Sequence, residues 1–224
     1  MRTVVVSDRA IALAVGALAA AAYVAFGWGA STVYDYHGRL AEAFLHGRYW
    51  LTAAPPWLNE LLECGPGRFC VVYPPLPAAL AVALVPFVGT VMAQGLVAQI
   101  AGGASAGVLY LGLRAYGAPR FVALAGAAVS AFGTTLLFSS VDGRAWYAAH
   151  SVAVLFGSVA FWLAARGGPP VALGAAIGLA ALSRLPVAAA MPALALLAAR
   201  RGRRPFPRVL ALVIAGGLPF AALY

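Results

Sequence analysis

The sequence predicts an all-α fold, a polytopic bundle of transmembrane helices that forms a single domain over residues 1–224. Of the 224 residues, 63% are hydrophobic and 9% are charged, whereas a soluble domain carries roughly a quarter charged residues. The apolar residues also fall into runs, and the first of these, residues 10–30, is long enough to cross a bilayer. A water-soluble helical domain is disfavoured, because so few charged side chains could not cover its surface.

Glycine and proline divide the chain into apolar runs, several of which are shorter than the roughly 20 residues of a standard span. Membrane helices tolerate these residues where neighbouring helices satisfy the interrupted backbone. The runs are residues 10–30, 75–91, 95–113, 121–141, 146–165, 171–182, 186–199 and 209–224.

All 15 basic residues are arginines, and most lie at the ends of the apolar runs. This distribution indicates membrane topology, because cytoplasmic loops are rich in basic residues. A nucleic-acid partner is not expected, since its interface would need these charges on one solvated face. Counting spans back from the last cluster places Asp142, Arg144 and Arg184 outside and the N-terminus in the cytoplasm. The cytoplasmic arginines are then Arg2, Arg9, Arg114, Arg120, Arg166, Arg200, Arg201, Arg203, Arg204 and Arg208.

The run over residues 75–91 does not fit this count, since only two crossings are allowed before Arg114. The run is short and contains Pro75, Pro77 and Pro86. We therefore favour a re-entrant or interfacial segment. The alternative is a true span with the Arg114 loop outside, because the arginine rule is a statistical bias.

Residues 31–74 form the one long polar segment, which is predicted to be an extracytoplasmic loop. It contains four of the six acidic residues and both cysteines. Within it, residues 38–51 are predicted to form an amphipathic juxtamembrane helix in the interface plane. This helix either contributes to a site or only anchors the loop. Its apolar face would hold Leu40, Ala41, Phe44 and Leu45, and its polar face Arg39, Glu42 and His46.

Cys64 and Cys70 both lie in this loop. Outside the cytoplasm they can form a disulfide, and two cysteines allow only one pairing. A structural zinc site is the less favoured alternative, because such sites take four protein ligands.

Asp35 is the main candidate for chemistry, since it follows the first run closely and is expected at the membrane surface. A carboxylate there can accept a proton from a hydroxyl or bind a divalent metal; the alternative is a solvated acid at a helix end.

Asp142, Arg144 and His150 form a second cluster. An ionisable His150 inside a span is a functional candidate, unless it is a neutral histidine bonded to a neighbouring helix. Arg184 is a candidate phosphate-binding residue, because a guanidinium can donate two parallel hydrogen bonds to two phosphate oxygens.

Several short motifs follow one another along the chain from about Asp35 to Tyr224. They are Asp35-Tyr36, Leu40-Ala41-Glu42-Ala43-Phe44-Leu45-His46-Gly47-Arg48, Tyr73-Pro74-Pro75-Leu76-Pro77, Gly133-Thr134, Trp146-Tyr147-Ala148-Ala149-His150 and Gly178-Leu179-Ala180-Ala181-Leu182-Ser183-Arg184-Leu185-Pro186. Their order resembles the N-terminal half of a GT-C type membrane glycosyltransferase of the bacterial family 39-like group.

The resemblance implies an enzyme of the bacterial plasma membrane and cell envelope that moves a hexosyl or pentosyl group from a polyprenyl-phosphate donor. The acceptor would be a glycan, lipid or protein on the extracytoplasmic face. Asp35 matches the family's catalytic or metal-binding carboxylate. A divalent metal, Mg²⁺ or Mn²⁺, is left open, because Tyr36 stands where the family often has a second acid. The expected substrate-binding residues are Tyr36, Asp142, Arg144, His150 and Arg184.

Two other classes remain open, a transporter subunit and a non-catalytic membrane scaffold. A transporter needs charged groups near the middle of several spans and internal repeats, and the sequence has neither. A scaffold needs no cluster of ionisable groups at the outer ends of its helices. The sequence given ends inside an apolar run at Tyr224, so we expect it to be the N-terminal part of a longer transferase module.

Overall fold

The computed structural model of the chain describes residues 7–27, 34–221 and 223. Arg2, residues 28–33 and Tyr224 lie outside the described residues. The described part is mostly helical. Its elements are α1 (Asp8–Gly27), α2 (Tyr36–Leu45), β1 (Leu61–Gly65), β2 (Arg68–Val71), α3 (Leu76–Ala81), α4 (Val85–Tyr116), α5 (Arg120–Phe132), α6 (Thr135–Asp142), α7 (Ala145–Ala165), α8 (Pro170–Ala181), a 3-10 helix (Leu185–Ala190), α9 (Met191–Gly202) and α10 (Phe206–Ala221).

Three of these helices, α1, α4 and α7, are long and apolar enough to cross a membrane. Helices α5 and α6 make a fourth candidate if they count as one span, bent by 49°. The bend falls at Gly133 and Thr134, where the Thr134 hydroxyl donates to the Ser130 carbonyl and accepts from the Leu136 amide. Helices α8 and α10 are apolar but shorter. The helices fit a multi-pass membrane protein.

Helix α4 is the centre of the bundle, and both α1 and α7 pack mainly against it. Small residues allow this close approach, as is common between membrane helices. A methyl group at Gly103 would collide with the backbone of Ala20 in α1. A larger residue at this position would push α1 away from α4.

Residues 75–91 do not form a span of their own. Helix α3 has six residues, which gives it a length of about 9 Å, far short of a bilayer. The first turn of α4 then breaks at Gly89, whose φ of 78° and ψ of 172° are not helical. One helix follows that is long and apolar enough for a single crossing, which fits the re-entrant or interfacial interpretation.

The arginine-rich turns lie together at one end of the bundle, as the span count requires. Asp8 at the start of α1 pairs with Arg114 at the end of α4, at 3.1 Å. Arg201 at the end of α9 donates to the Tyr116 carbonyl at 2.6 Å. Arg204 donates to a carbonyl in the turn after α7. We expect this end to face the cytoplasm.

Cysteine labelling should establish which end faces outward. Glu42 on α2 and Arg200 on α9 are both exposed and belong to opposite ends. In intact cells, a membrane-impermeant maleimide should label Glu42→Cys and should label Arg200→Cys only after lysis. Labelling of Arg200→Cys from outside would reverse the orientation.

The structure corrects the prediction for helix α2. It covers Tyr36–Leu45 rather than residues 38–51, and Gly47, with a φ of 67°, turns the chain away after its end. Leu40 and Ala41 are buried against α3 and α4 rather than facing lipid. Helix α2 is therefore part of the packed bundle and not a helix lying on its surface.

The all-α prediction was wrong for residues 61–71, where β1 and β2 form an antiparallel hairpin. The turn is made by Gly65, Pro66 and Gly67, and both glycines have positive φ angles of 158° and 64°. Positive φ favours glycine, which has no Cβ to clash. Cys64 and Cys70 form a disulfide across the hairpin, with Cα atoms 5.8 Å apart.

The disulfide should be detectable in the purified protein and should stabilise the hairpin. Peptide mapping without reductant should show one linked pair and no alkylated cysteine. Replacing both cysteines by serine should cost roughly 2 kcal/mol, because the closed loop is short. Two alkylated thiols in freshly purified protein would contradict the pairing.

Candidate functional site

Asp35 is a buried, fully engaged carboxylate just before α2. Its side chain is 1% exposed. One oxygen accepts from Arg39 Nε at 2.9 Å, and the other accepts from the Thr90 hydroxyl at 2.8 Å. Thr90 directly follows the break in α4 at Gly89, and it is the Thr90 hydroxyl that contacts this carboxylate. Asp35 is therefore not a solvated acid at a helix end.

A divalent metal ion at Asp35 would compete with the Arg39 guanidinium for the carboxylate. That guanidinium already neutralises the carboxylate, so either a metal ion or a substrate hydroxyl would have to displace it. Among the residues that the structure describes, no three His, Cys, Asp or Glu side chains converge on one point. The metal that the resemblance implies therefore stays a prediction.

His37, the second residue of α2, is completely buried. Its Nε2–H donates to the Ala145 carbonyl at the start of α7, at 3.1 Å. Its backbone N–H donates to Gln94 of α4 at 2.9 Å, and the Gln94 amide donates to the Gly143 carbonyl at 2.8 Å. Gln94 thus holds α2 against the turn between α6 and α7. His37 Nδ1 is buried and has no hydrogen-bond partner among the described residues.

Burial lowers the pKa of His37 to about 4; the Ala145 carbonyl opposes this shift, and the charge of Arg184 adds to it. The imidazole is therefore neutral at physiological pH. Its Nε2 carries the proton, and its unpartnered Nδ1 has a free lone pair. A neutral imidazole of this kind can accept a proton or a hydrogen bond.

His37 should make the protein less stable in acid. Its native pKa of about 4 lies below the unfolded value of 6.5, so the unfolded chain binds more protons between these values. Stability should be full above about pH 6.5 and should fall toward pH 4 by at most about 1.4 kcal/mol per pH unit. Thermal unfolding of His37→Gln should show a smaller loss at about pH 5 than the wild type. The exposed His46→Gln serves as the control, and equal slopes in both variants would contradict the assignment.

Arg184 reaches the same part of α7 from the turn before the 3-10 helix. Its Nη2 donates to the Trp146 carbonyl at 2.8 Å, next to the carbonyl that holds His37. Its charge acts on His37, Tyr73 and His150. Its Nε is buried and has no partner among the described residues. The Nε–H group of this guanidinium is therefore available to donate to an anionic ligand.

Tyr73 packs against His37, and Glu60 binds Tyr73. The Tyr73 hydroxyl donates to the Glu60 carboxylate, and its ring centroid lies 5.2 Å from that of Tyr36 and 5.8 Å from that of His37. The Tyr36 hydroxyl accepts from the Glu60 amide at 3.0 Å. Burial raises the pKa of Tyr73, and the bond to Glu60 raises it further. These contacts tie the loop before β1 to α2 and to the proline-rich segment.

His150 lines a cavity of about 490 Å³ at the bend between α5 and α6. It is exposed and has no hydrogen bond among the described residues, so it is not a histidine satisfied by a neighbouring helix. Polar side chains at this depth in a span are costly and mark functional sites. The other polar side chains around the cavity are those of Ser130, Thr134, Thr135, Ser139 and Tyr147.

The predicted site residues share one end of the bundle, but they do not form one contact cluster. Arg184 is close enough to act electrostatically on His150 and His37, whereas Asp35 has its own partners. Asp142 and Arg144 pair with each other at 3.2 Å, and Arg144 is exposed. Sequence reasoning did not single out His37, Tyr73, Glu60, Thr90 or Gln94. No local signal marks them, because their partners lie far away in the chain.

No protein-family model matches this chain, and neither a curated protein nor a solved structure matches it. The resemblance of its motif order to GT-C glycosyltransferases stays a prediction.

Proposed function

We propose that this chain carries the membrane site of a glycosyltransferase. It would move a hexosyl or pentosyl group from a polyprenyl-phosphate donor to a glycan, lipid or protein acceptor, on the extracytoplasmic face of a bacterial plasma membrane. The observation that carries the proposal is Arg184. It is a guanidinium with an unused buried donor, and its charge acts on His150, which lines a cavity rich in hydroxyls.

Arg184 would bind the phosphate of the lipid donor. When the sugar leaves, the bond between its anomeric carbon and the phosphate oxygen breaks, and that oxygen gains charge. A fixed guanidinium stabilises such developing charge and pairs with phosphate oxygens directionally. The partner of Arg184, the Trp146 carbonyl, fixes its direction but leaves its Nε free.

Asp35 would accept the proton of the acceptor hydroxyl, whose oxygen then bonds to the anomeric carbon. The products are the glycosylated acceptor and polyprenyl phosphate. For this step the acceptor must replace one partner of Asp35. Arg39 is the candidate, because its side chain is 32% exposed and can turn to solvent.

The cavity at His150 would hold the sugar. Sugar hydroxyls need donors and acceptors in place of water, and this cavity supplies four aliphatic hydroxyls, a phenol and an imidazole. A lipid-linked donor also explains why such a cavity lies at a bend within a span, since its prenyl chain stays in the bilayer. A scaffold or a transporter subunit is the alternative, although no contact among the described residues specifically favours either.

The proposal is tested by reconstituting the protein in proteoliposomes with radiolabelled undecaprenyl-phosphate glucose, mannose or arabinose. One of these donors should transfer its label to an envelope extract used as the acceptor. Folded protein that transfers label from none of them would contradict the proposal.

A further inference from the structure

A long apolar groove opens at the arginine-rich end of the bundle, away from the candidate site. Helix α4 forms its floor, and α1 and α7 form its walls, because both pack on α4 and leave a gap between them. The volume of the groove is about 920 Å³, at the upper end of the roughly 300–1,000 Å³ of ligand sites. Its depth comes from small residues along α1 and α4: Ala12, Gly16, Ala17, Ala20, Ala104 and Gly107.

The groove is long enough for an acyl chain. On α4 its lining runs from Ile100 to Ala115, which is roughly 22 Å at 1.5 Å per residue. One leaflet of hydrocarbon is about 15 Å thick, half of a bilayer core. A chain that enters at the arginine-rich end could therefore lie in the groove as far as the middle of the bilayer.

The mouth of the groove is basic. Arg9, Arg114 and Arg166 line it together with Asp8. The Asp8 carboxylate is occupied by Arg114 at 3.1 Å and by Arg120 at 3.0 Å. Arg9 and Arg166 pair with no carboxylate in the described part of the chain. Both side chains are exposed and can therefore pair with an external anion.

We infer that the groove binds an anionic phospholipid of the cytoplasmic leaflet, with an acyl chain along α4 and its phosphate paired with Arg9 and Arg166. Guanidinium groups match phosphate geometry, and the cytoplasmic leaflet is rich in anionic lipids. Arg166 is stacked on the Trp162 ring, with its Cζ 4.8 Å from the ring centroid, and Trp162 itself lines the groove. A docked polypeptide would explain the apolar walls but not the unpaired arginines. The inference does not rest on the proposed transferase activity.

Native mass spectrometry of the purified chain, with phosphatidylglycerol and phosphatidylcholine added separately, tests this site. Phosphatidylglycerol should bind more tightly. The double variant Arg9→Gln with Arg166→Gln should weaken its binding roughly thirtyfold, since each arginine at a lipid surface contributes about one kcal/mol. The matched control is Arg200→Gln with Arg208→Gln. It removes the same charge at the same end from two exposed residues outside the groove, and it should bind like the wild type.

A second pair of variants tests the groove itself. Ala17 is exposed and lines the groove, so Ala17→Trp should fill it and abolish tight lipid binding, whereas Leu18→Trp on its neighbour should not. Equal binding by the two arginine double variants, or equal affinity for both lipids, would overturn the inference. So would a dimer that Ala17→Trp disrupts without any lipid bound to the wild type.

Discussion

Replacing Asp35 by asparagine should reduce sugar transfer by roughly 10²–10⁴-fold, the range for loss of a general base. Asparagine keeps the size of the side chain, and its carbonyl oxygen can still accept from Thr90. It cannot take a proton from the acceptor hydroxyl. The initial rate of transfer from the active lipid-linked sugar in proteoliposomes measures the loss.

Glu42→Gln is the matched control for this variant. Glu42 lies on the exposed face of α2, within two turns of Asp35, and removing its charge should leave the transfer rate unchanged. Thermal unfolding should show that Asp35→Asn is folded, although the loss of the Arg39 pair should lower its stability. Full transfer by folded Asp35→Asn would end the assignment of this residue as the base. Loss of transfer in His37→Gln alone would move that role to the neutral imidazole.

Replacing Arg184 by alanine should weaken binding of the lipid-phosphate donor about ten- to hundredfold. A hydrogen bond to a charged group contributes about 1.5–3 kcal/mol, and each 1.4 kcal/mol is tenfold in affinity. The variant also frees the Trp146 carbonyl, which Arg184 holds at 2.8 Å. The effect should appear as a higher KM for the donor, together with a lower kcat if the guanidinium also stabilises the departing phosphate.

Arg184→Lys separates charge from geometry. Lysine keeps the positive charge, but it lacks the planar guanidinium that can bind the Trp146 carbonyl and a phosphate at the same time. The KM of the lysine variant for the donor should therefore lie between those of the wild type and the alanine variant. Arg68→Ala on the hairpin, whose guanidinium stacks on Trp50, should leave the KM unchanged. An unchanged KM in Arg184→Ala would remove Arg184 from the donor site.

The two ends of the bundle could be predicted from the sequence because arginine position is a one-dimensional signal. Asp8, Arg114 and Arg201 lie at the ends of apolar runs in the sequence. In the structure Asp8 pairs with Arg114, and Arg201 contacts Tyr116 at the end of α4. The bend at Gly133 and Thr134 also has a local cause, since glycine ends α5 and threonine caps α6.

The site could not be predicted to the same extent, because its contacts join distant residues. Asp35 meets Thr90 55 positions away, and His37 meets Ala145 108 positions away. Nothing in the local sequence says that His37 is buried and neutral while His46, just past the end of α2, is exposed. The hairpin was missed for another reason, since residues 61–71 are too short and too mixed to give a periodic signal beside longer apolar runs.

The central claim is that a lipid-linked sugar binds at the Arg184 end of the bundle, and photo-crosslinking tests it most directly. The probe is undecaprenyl-phosphate glucose with a diazirine on the first isoprene unit. We expect it to label peptides that contain His150 or Arg184, and we expect Arg184→Ala to lower the yield about tenfold. Labelling confined to the end near Asp8 and Arg166, or equal labelling by an uncharged undecaprenol carrying the same diazirine, would contradict the account.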